Sequence, residues 1–337
     1  MAAHKSDSPF LPSGGFRNEE DHHRSDALGG GVTTNRRALL RNTGLLSLTG
    51  LLAACSTEKS TTAATSSSSA AASASATFPN RAATSVPATP LAASDNQILD
   101  SLLAKSPTCP LTVDVTQGPY WFDVNYIRSD IREDKPGLPL ELAIKVVDLN
   151  TCSATSAGDP ITDAVVEIWH CDALGVYSGF EETSKKLNGG LDPKNAPPPP
   201  RQGAAAMKPH GTPSDGAYSA GDRQSKRTDN HTYLRGAQPT DRSGIVRFTT
   251  NYPGWYFSRT VHIHLRVHIH KKLVLTTQLY FDDALNTKIF KERSPYNQHV
   301  HRDTFNNIDK IFKPTGLVTV QEATDKVYGG INLGVKL

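Results

Sequence analysis

The residues best equipped for chemistry lie between Tyr252 and His270, where the chain reads Tyr-Pro-Gly-Trp-Tyr-Phe-Ser-Arg-Thr-Val-His-Ile-His-Leu-Arg-Val-His-Ile-His. Alternate side chains of a strand share a face, so His262 and His264 point the same way, with Cα atoms roughly 6.6 Å apart. Two neutral imidazoles so placed can grip one metal ion. The opposite face carries Val261, Ile263, Leu265, Val267 and Ile269 and reads as a core face. The pattern does not single out this pair, because His268 and His270 repeat it and so do His299 and His301. Histidines on the polar face of a strand need no metal. His262 and His270 would lie about 26 Å apart on an extended strand, so one ion cannot use all four of that strand's histidines.

Company distinguishes the first pair. Tyr256 and Arg259 precede it closely, and Tyr177 follows the stretch Trp169-His170-Cys171-Asp172-Ala173-Leu174-Gly175-Val176. A tyrosine ordinarily packs in a core with its hydroxyl at the edge. Deprotonated, it is a hard anionic oxygen donor. Two phenolates and two imidazoles carry two negative charges, and a hydroxide completes the balance for a trivalent ion. Such a set favours iron(III) over softer or divalent metals. A divalent-iron site of the cupin kind would use histidines and a carboxylate instead.

The elements that must hold these residues read mostly as strands. Leu140, Leu142, Ile144 and Val146 alternate with Glu141, Ala143, Lys145 and Val147. Ala164 to Trp169, Ile245 to Thr249, Thr260 to His270 and Leu273 to Phe281 follow, separated by Gly, Pro, Asp and Asn. Short strands with turn signals between them predict an all-β fold, a β-sandwich or barrel with long surface loops. One short helix precedes them. Ser94 and Gln97 have capping-box spacing, Ile98, Leu99, Leu102 and Leu103 share a face, and Pro107 marks the end. Residues 181–232, with Gly189-Gly190 and the run Pro197 to Pro200, read as a long surface excursion.

The first part of the chain reads as an address. Arg36-Arg37 precedes the apolar run Thr43 to Ala54, too short to span a bilayer but suited to a signal-peptide core. The pair resembles a twin-arginine export signal, and Leu52-Ala53-Ala54-Cys55 resembles a bacterial lipobox with Cys55 as the lipidated residue. The expected organisation is a signal over 1–54, a flexible Ser/Ala/Thr-rich tether over 55–93 and a folded domain over 94–337. The chain would then be exported, a cell-surface or periplasmic lipoprotein meeting the membrane only through its anchor. Of the remaining cysteines, Cys152 and Cys171 flank one strand and are the preferred disulfide, although three pairings are open. A formal charge of +3 over 337 residues is too small for a dedicated nucleic-acid binder.

Several separated motifs, in order, resemble the intradiol ring-cleavage dioxygenases, the catechol and protocatechuate dioxygenase family, in its exported single-domain branch. They are Gln117-Gly118-Pro119-Tyr120, Val165 to Asp172 leading to Gly175-Val176-Tyr177-Ser178, Tyr233-Leu234-Arg235-Gly236 with Thr240-Asp241, Pro253-Gly254-Trp255-Tyr256, Arg259 to His264, and Gln278-Leu279-Tyr280-Phe281. The resemblance implies Fe(3+) held by Tyr177, Tyr256, His262 and His264. Tyr256 would be the tyrosine displaced by substrate. Arg259 would stand beside the substrate ring, with Gln278 near the pocket and Tyr120 and Trp255 on the substrate side. The implied partners are a small aromatic diol and O2. The ring would open between its two hydroxylated carbons to give a muconate-type diacid. The short spacing from Tyr256 to Arg259 departs from protocatechuate-type relatives and leaves substrate preference open. A lipid-tethered surface module that binds polyphenol or polysaccharide without turnover is the alternative. Oligomeric state is not legible.

Overall fold

The computed structural model describes residues 82–87, 90–187, 211–299 and 301–337. The twin-arginine pair, the apolar run, Cys55 and most of the tether lie outside the described residues. The elements are β1 (Thr84–Ser85), α1 (Ala93–Lys105), β2 (Tyr126–Ile127), β3 (Pro139–Asp148), β4 (Val165–Trp169), α2 (Glu181–Leu187), β5 (Arg235–Pro239), β6 (Ile245–Asn251), β7 (His262–Ile269), β8 (Lys272–Tyr280), α3 (Asp283–Glu292), β9 (Thr319–Glu322) and β10 (Val327–Val335). They form a six-stranded sheet in the order β1-β2-β5-β4-β7-β8 and a four-stranded sheet in the order β6-β3-β10-β9.

Side-chain alternation explains why the two sheets stack. Leu140, Leu142, Ile144 and Val146 of β3 and Val246 and Phe248 of β6 face one way. They meet Val166 and Ile168 of β4 and Ile263, Leu265 and Val267 of β7 in one core. The fold is an all-β sandwich, one of the two architectures the strand pattern allows. The outer face of the smaller sheet is covered by α1, where Leu99, Leu102 and Leu103 pack on Ala143 and Tyr328. Close approach there needs Gly330, since a Cβ at that position would lie 2.7 Å from the Leu102 Cβ.

Three sequence expectations are corrected. The helix starts at Ala93 with Ala92 as its N-cap and no side-chain cap, so Ser94 lies inside the first turn and caps nothing. The disulfide joins Cys109 to Cys152, with Cα atoms 5.9 Å apart, and not Cys152 to Cys171. The reason is geometric. The five residues of β4 run between Cys152 and Cys171 and carry its ends about 13 Å apart. Cys171 remains a buried free thiol against the Gly254 carbonyl, at 3.4 Å. Finally, the described part of the 181–232 stretch is not a surface excursion throughout. Ser214, Tyr218 and Ser219 are buried, and Asp222 binds Arg266 and His268 of β7. Asp222 thus seals a strand face that reads as polar and exposed.

Candidate metal centre

Register across the larger sheet sets out the site. Arg235 of β5 lies opposite Trp169 of β4, Trp169 opposite His264 of β7, and His264 opposite Gln278 of β8. Directly opposed residues share a face, so these four form one transverse row. One row toward the sheet end, His262 lies opposite Tyr280. One row the other way, Glu167 lies opposite Arg266. The histidine face is therefore buried, with His262 and His264 each 1% exposed.

The imidazoles meet through their Nε2 atoms, 3.2 Å apart. His262 Nδ1 is 2.6 Å from the Thr260 carbonyl. That carbonyl can only accept, so the proton sits on Nδ1 and the Nε2 lone pair is left facing the site. His264 is braced on both sides. Trp169 stacks on it with ring centroids 4.9 Å apart and planes 5° from parallel. On its edge sits Gly118, at φ +71°, where a Cβ would be 3.1 Å from the imidazole Cε1.

The tyrosines arrive on two loops. After β4 the chain turns at Asp172, whose carboxylate accepts the Leu174 and Val176 amides, and Gly175 supplies a positive φ. Tyr177 follows directly. Tyr256 comes from the loop between β6 and β7. The loops lock together where the Gly254 amide donates to the Asp172 carbonyl, a contact so close that a Cβ on residue 254 would be 2.2 Å from that oxygen. The Tyr177 and Tyr256 rings end edge to face, with centroids 5.6 Å apart. The Tyr256 hydroxyl is 3.2 Å from His262 Nε2. Tyr177 lies 6.1 Å from His264, ring to ring, and its buried hydroxyl makes no well-formed hydrogen bond.

Arg259 closes the site. Its Nη1 is 3.4 Å from the Tyr256 hydroxyl, its Nη2 donates to the Gln278 side-chain oxygen Oε1, and its Nε donates to Asp309 at 2.9 Å. Gln278 is fixed in turn by the Thr116 carbonyl and by the Tyr280 hydroxyl. Asp309 also accepts the Thr260 amide, so one carboxylate anchors both Arg259 and the start of β7.

The electrostatics follow from burial. Desolvation, reinforced by Arg259, holds the His262 pKa far below the usual histidine value. His264 is depressed likewise, by burial and then by His262 and Arg259. Both imidazoles are therefore held in the neutral form. Burial pushes the Tyr177 phenol well up, with Tyr256 adding to the effect. Tyr256 is also raised by burial, while Arg259 pulls it back. Each phenol needs a cation beside it to ionise. The donor set thus fits a hard, highly charged metal ion: two neutral nitrogens, one buried hydroxyl without a good partner and a second beside an imidazole. Among the described residues no group of three or more His, Cys, Asp and Glu side chains could hold a metal, and two of the four donors here are phenols.

Tyr177, Tyr256, Arg259, His262, His264 and Gln278 are thus brought together, and Tyr120 joins them with its ring 4.7 Å from Tyr177. Trp255 is not brought in. Next to Tyr256 on an extended loop, it points the other way, stacks on His299 at 3.9 Å and donates its indole N–H to the His299 carbonyl. His268 is tied to Asp222, and His270 and His301 are exposed. Sequence reasoning missed Asp309, which no local pattern marks, and the structural parts of Trp169 and Gly118. Their spacing from the ligands shows only once strand register is known.

No protein-family model matches the chain, and no curated protein matches it. Solved structures do. A dioxygenase is 29% identical with a TM-score of 0.52, the match covering 68% of this chain and 95% of that one. An intradiol ring-cleavage dioxygenase from Tetranychus urticae is 29% identical with a TM-score of 0.51, covering 67% of this chain and 94% of that one.

Proposed function

We propose that this chain, which belongs to the intradiol ring-cleavage dioxygenase family, is a ferric enzyme that uses O2 to open a catechol-type ring between its two hydroxylated carbons, releasing a muconate-type diacid. The observation that carries the proposal is the convergence of the Tyr256 hydroxyl and both imidazole Nε2 atoms beside Arg259.

Tyr177, Tyr256, His262 and His264 would hold the iron. A ferric ion there would draw electron density from a bound catecholate and make its ring reactive toward O2. The remaining work falls to the protein. Tyr256 stands in the same buried cluster as His262 and Arg259, and its phenolate oxygen would serve as the acceptor for a proton from a substrate hydroxyl. The Arg259 Nη1, 3.4 Å from the Tyr256 hydroxyl, would stabilise negative charge that develops on a substrate ring beside it. Asp309 and Gln278 hold the fork in the orientation this requires. Burial of the whole face keeps water from the reacting carbon.

The N-terminal motifs complete the picture as an exported lipoprotein tethered through Cys55. The Cys109–Cys152 disulfide suits such an oxidising compartment. The test is oxygen uptake across substituted catechols with the ferric-loaded chain, followed by mass analysis of the product. One O2 consumed per ring opened, with both oxygen atoms retained in a diacid, is the expected result. A coloured ferric protein that binds catechols without consuming oxygen would support the non-catalytic binding module instead.

A further inference from the structure

On the outer face of the smaller sheet the cover provided by α1 stops where the helix ends, at Lys105. Ala143 and Gly330 lie under the helix. Two residues further along the strands, Ile245 of β6, Lys145 of β3 and Asn332 of β10 are directly opposed and share that outer face. A cleft of about 410 Å³ opens over this row, bounded by Asp100 and Leu103 of α1, Val147 of β3, and Asp241 and Ser243 of the turn before β6. The candidate metal centre lies on the outer face of the larger sheet, so both sheets stand between it and the cleft.

The polar groups of the cleft do not balance among themselves. Asp241 Oδ1 accepts the Ser243 and Ile245 amides, and Arg247 binds Asp100 at 2.6 Å and the second Asp241 oxygen at 3.5 Å. Both carboxylates are thereby used. Lys145, half-buried in the middle of the row, has no ion-pair or hydrogen-bond partner among the described residues. Asn332 is 8% exposed, and its side-chain nitrogen is fixed by carbonyls at the end of α1, those of Leu103 at 3.1 Å and Pro107 at 3.2 Å. The oxygen on the other side of that amide is buried and without a partner. Arg247 Nε is likewise buried and unpaired. Buried polar atoms are costly when left so, and a ligand that completes them removes the cost.

We propose that this cleft is a binding site for a small carboxylate with an apolar body and a hydroxyl group. Lys145, the cation left over, pairs with the carboxylate, and Asn332 Oδ1 accepts the hydroxyl proton. Leu103, Val147 and Ile245 supply the apolar wall. An apolar lining with a few polar groups that wait for an occupant is the usual make-up of a small-molecule pocket, and the volume suits a molecule the size of a substituted benzoate. An occupant here cannot reach the metal centre, so it is not the ring that centre opens. The site stands whether or not the chain binds iron.

The experiment titrates the full chain with para-(hydroxymethyl)benzoate and with para-methylbenzoate, which lacks only the hydroxyl, and reads the heat of binding. The parent should bind the first probe in the millimolar range or tighter and the second severalfold more weakly. K145M should weaken both about tenfold, the scale of one hydrogen bond to a charged group, and K145R should stay near the parent. A104W sets an indole on the rim of the cleft and should abolish binding. Denaturant unfolding shows that each variant is folded, and K145Q replaces K145M if that chain does not fold. No binding by the parent, unchanged affinity in the neutral variant, retained binding in A104W or displacement of the probe by catechol would each overturn the site. K145R as weak as the neutral variant would overturn the charge pairing, and equal affinities for the two probes would overturn the part given to Asn332.

Discussion

Trp169 lies flat on His264, with ring centroids 4.9 Å apart and planes only 5° from parallel. The contact follows from strand register, since the two residues are directly opposed on β4 and β7. His264 Nδ1 is 3.4 Å from the Gln278 side-chain nitrogen, a long contact, so the Trp169 stack carries much of the ring's orientation. An aromatic stack contributes about 1 kcal/mol beyond its buried area, which corresponds to about fivefold in affinity. Trp169→Phe should therefore retain ferric ion, and Trp169→Leu should bind it severalfold more weakly. Chelator competition measures both. Equal affinities for the two variants would show that the stack does not orient the ligand.

The Tyr256 hydroxyl touches both His262 Nε2 and Arg259 Nη1. Tyr256→Phe removes the oxygen but keeps the ring against Tyr177 and His262. The other three donors remain, so iron content should fall only modestly. Turnover should drop on the order of a hundredfold, the usual scale for losing a positioned proton acceptor. Steady-state kcat alongside iron per chain decides the matter, and unchanged kcat at full iron would refute the proton-acceptor role.

Asp309 is the counter-ion of a buried arginine, with side-chain exposures of 2% and 4% for the pair. Burial works against the Arg259 charge, but Tyr256 and Asp309 more than offset it and raise its pKa. Removing one partner of such a pair typically costs about 3–5 kcal/mol. Asp309→Ala should unfold at correspondingly lower denaturant, and it should also cost activity because Arg259 loses its Nε anchor. Asp309→Asn, which still accepts hydrogen bonds, should fall between. Denaturant titration of the metal-free variants separates the folding cost from the catalytic one.

Much of this arrangement is legible in the chain itself. The strand through His262 and His264 announces itself by alternation, and its apolar face, from Val261 to Val267, is fully buried. β10 does not announce itself. Its Gly329, Gly330 and Gly334 dilute the apolar pattern, because α1 and neighbouring chain press against them too closely for any Cβ. The disulfide was illegible for a different reason. Cys109 and Cys152 are 43 residues apart in sequence, and only packing of the chain after α1 beside the end of β3 brings them together. Asp309 lies 50 residues from Arg259, in a segment with no periodic pattern. Local periodicity reports which face a residue occupies, whereas partners contributed by loops depend on the whole fold.

The buried acid one row from His264 gives the fold a dependence on pH. Glu167 is 2% exposed and accepts the Trp121 indole N–H at 2.9 Å and the Tyr218 hydroxyl at 3.2 Å. Desolvation, aided by Asp123, pushes its pKa up to about 8 from 4.5, against the pull of Arg266. The sign follows from proton counting. Between those two values the native chain holds a proton that the unfolded chain has released, so stability falls as pH rises. The contribution is fully present below about pH 4.5 and is lost by about pH 8. Glu167→Gln has nearly the shape of the protonated acid and cannot ionise. The variant should match the parent near pH 4.5 and exceed it in stability near pH 8, by up to a few kcal/mol. Thermal or denaturant unfolding across that range, with the metal absent, reads the difference directly. A gap between variant and parent that does not change with pH would mean that Glu167 is already ionised in the folded chain, paired with Arg266 across the strands.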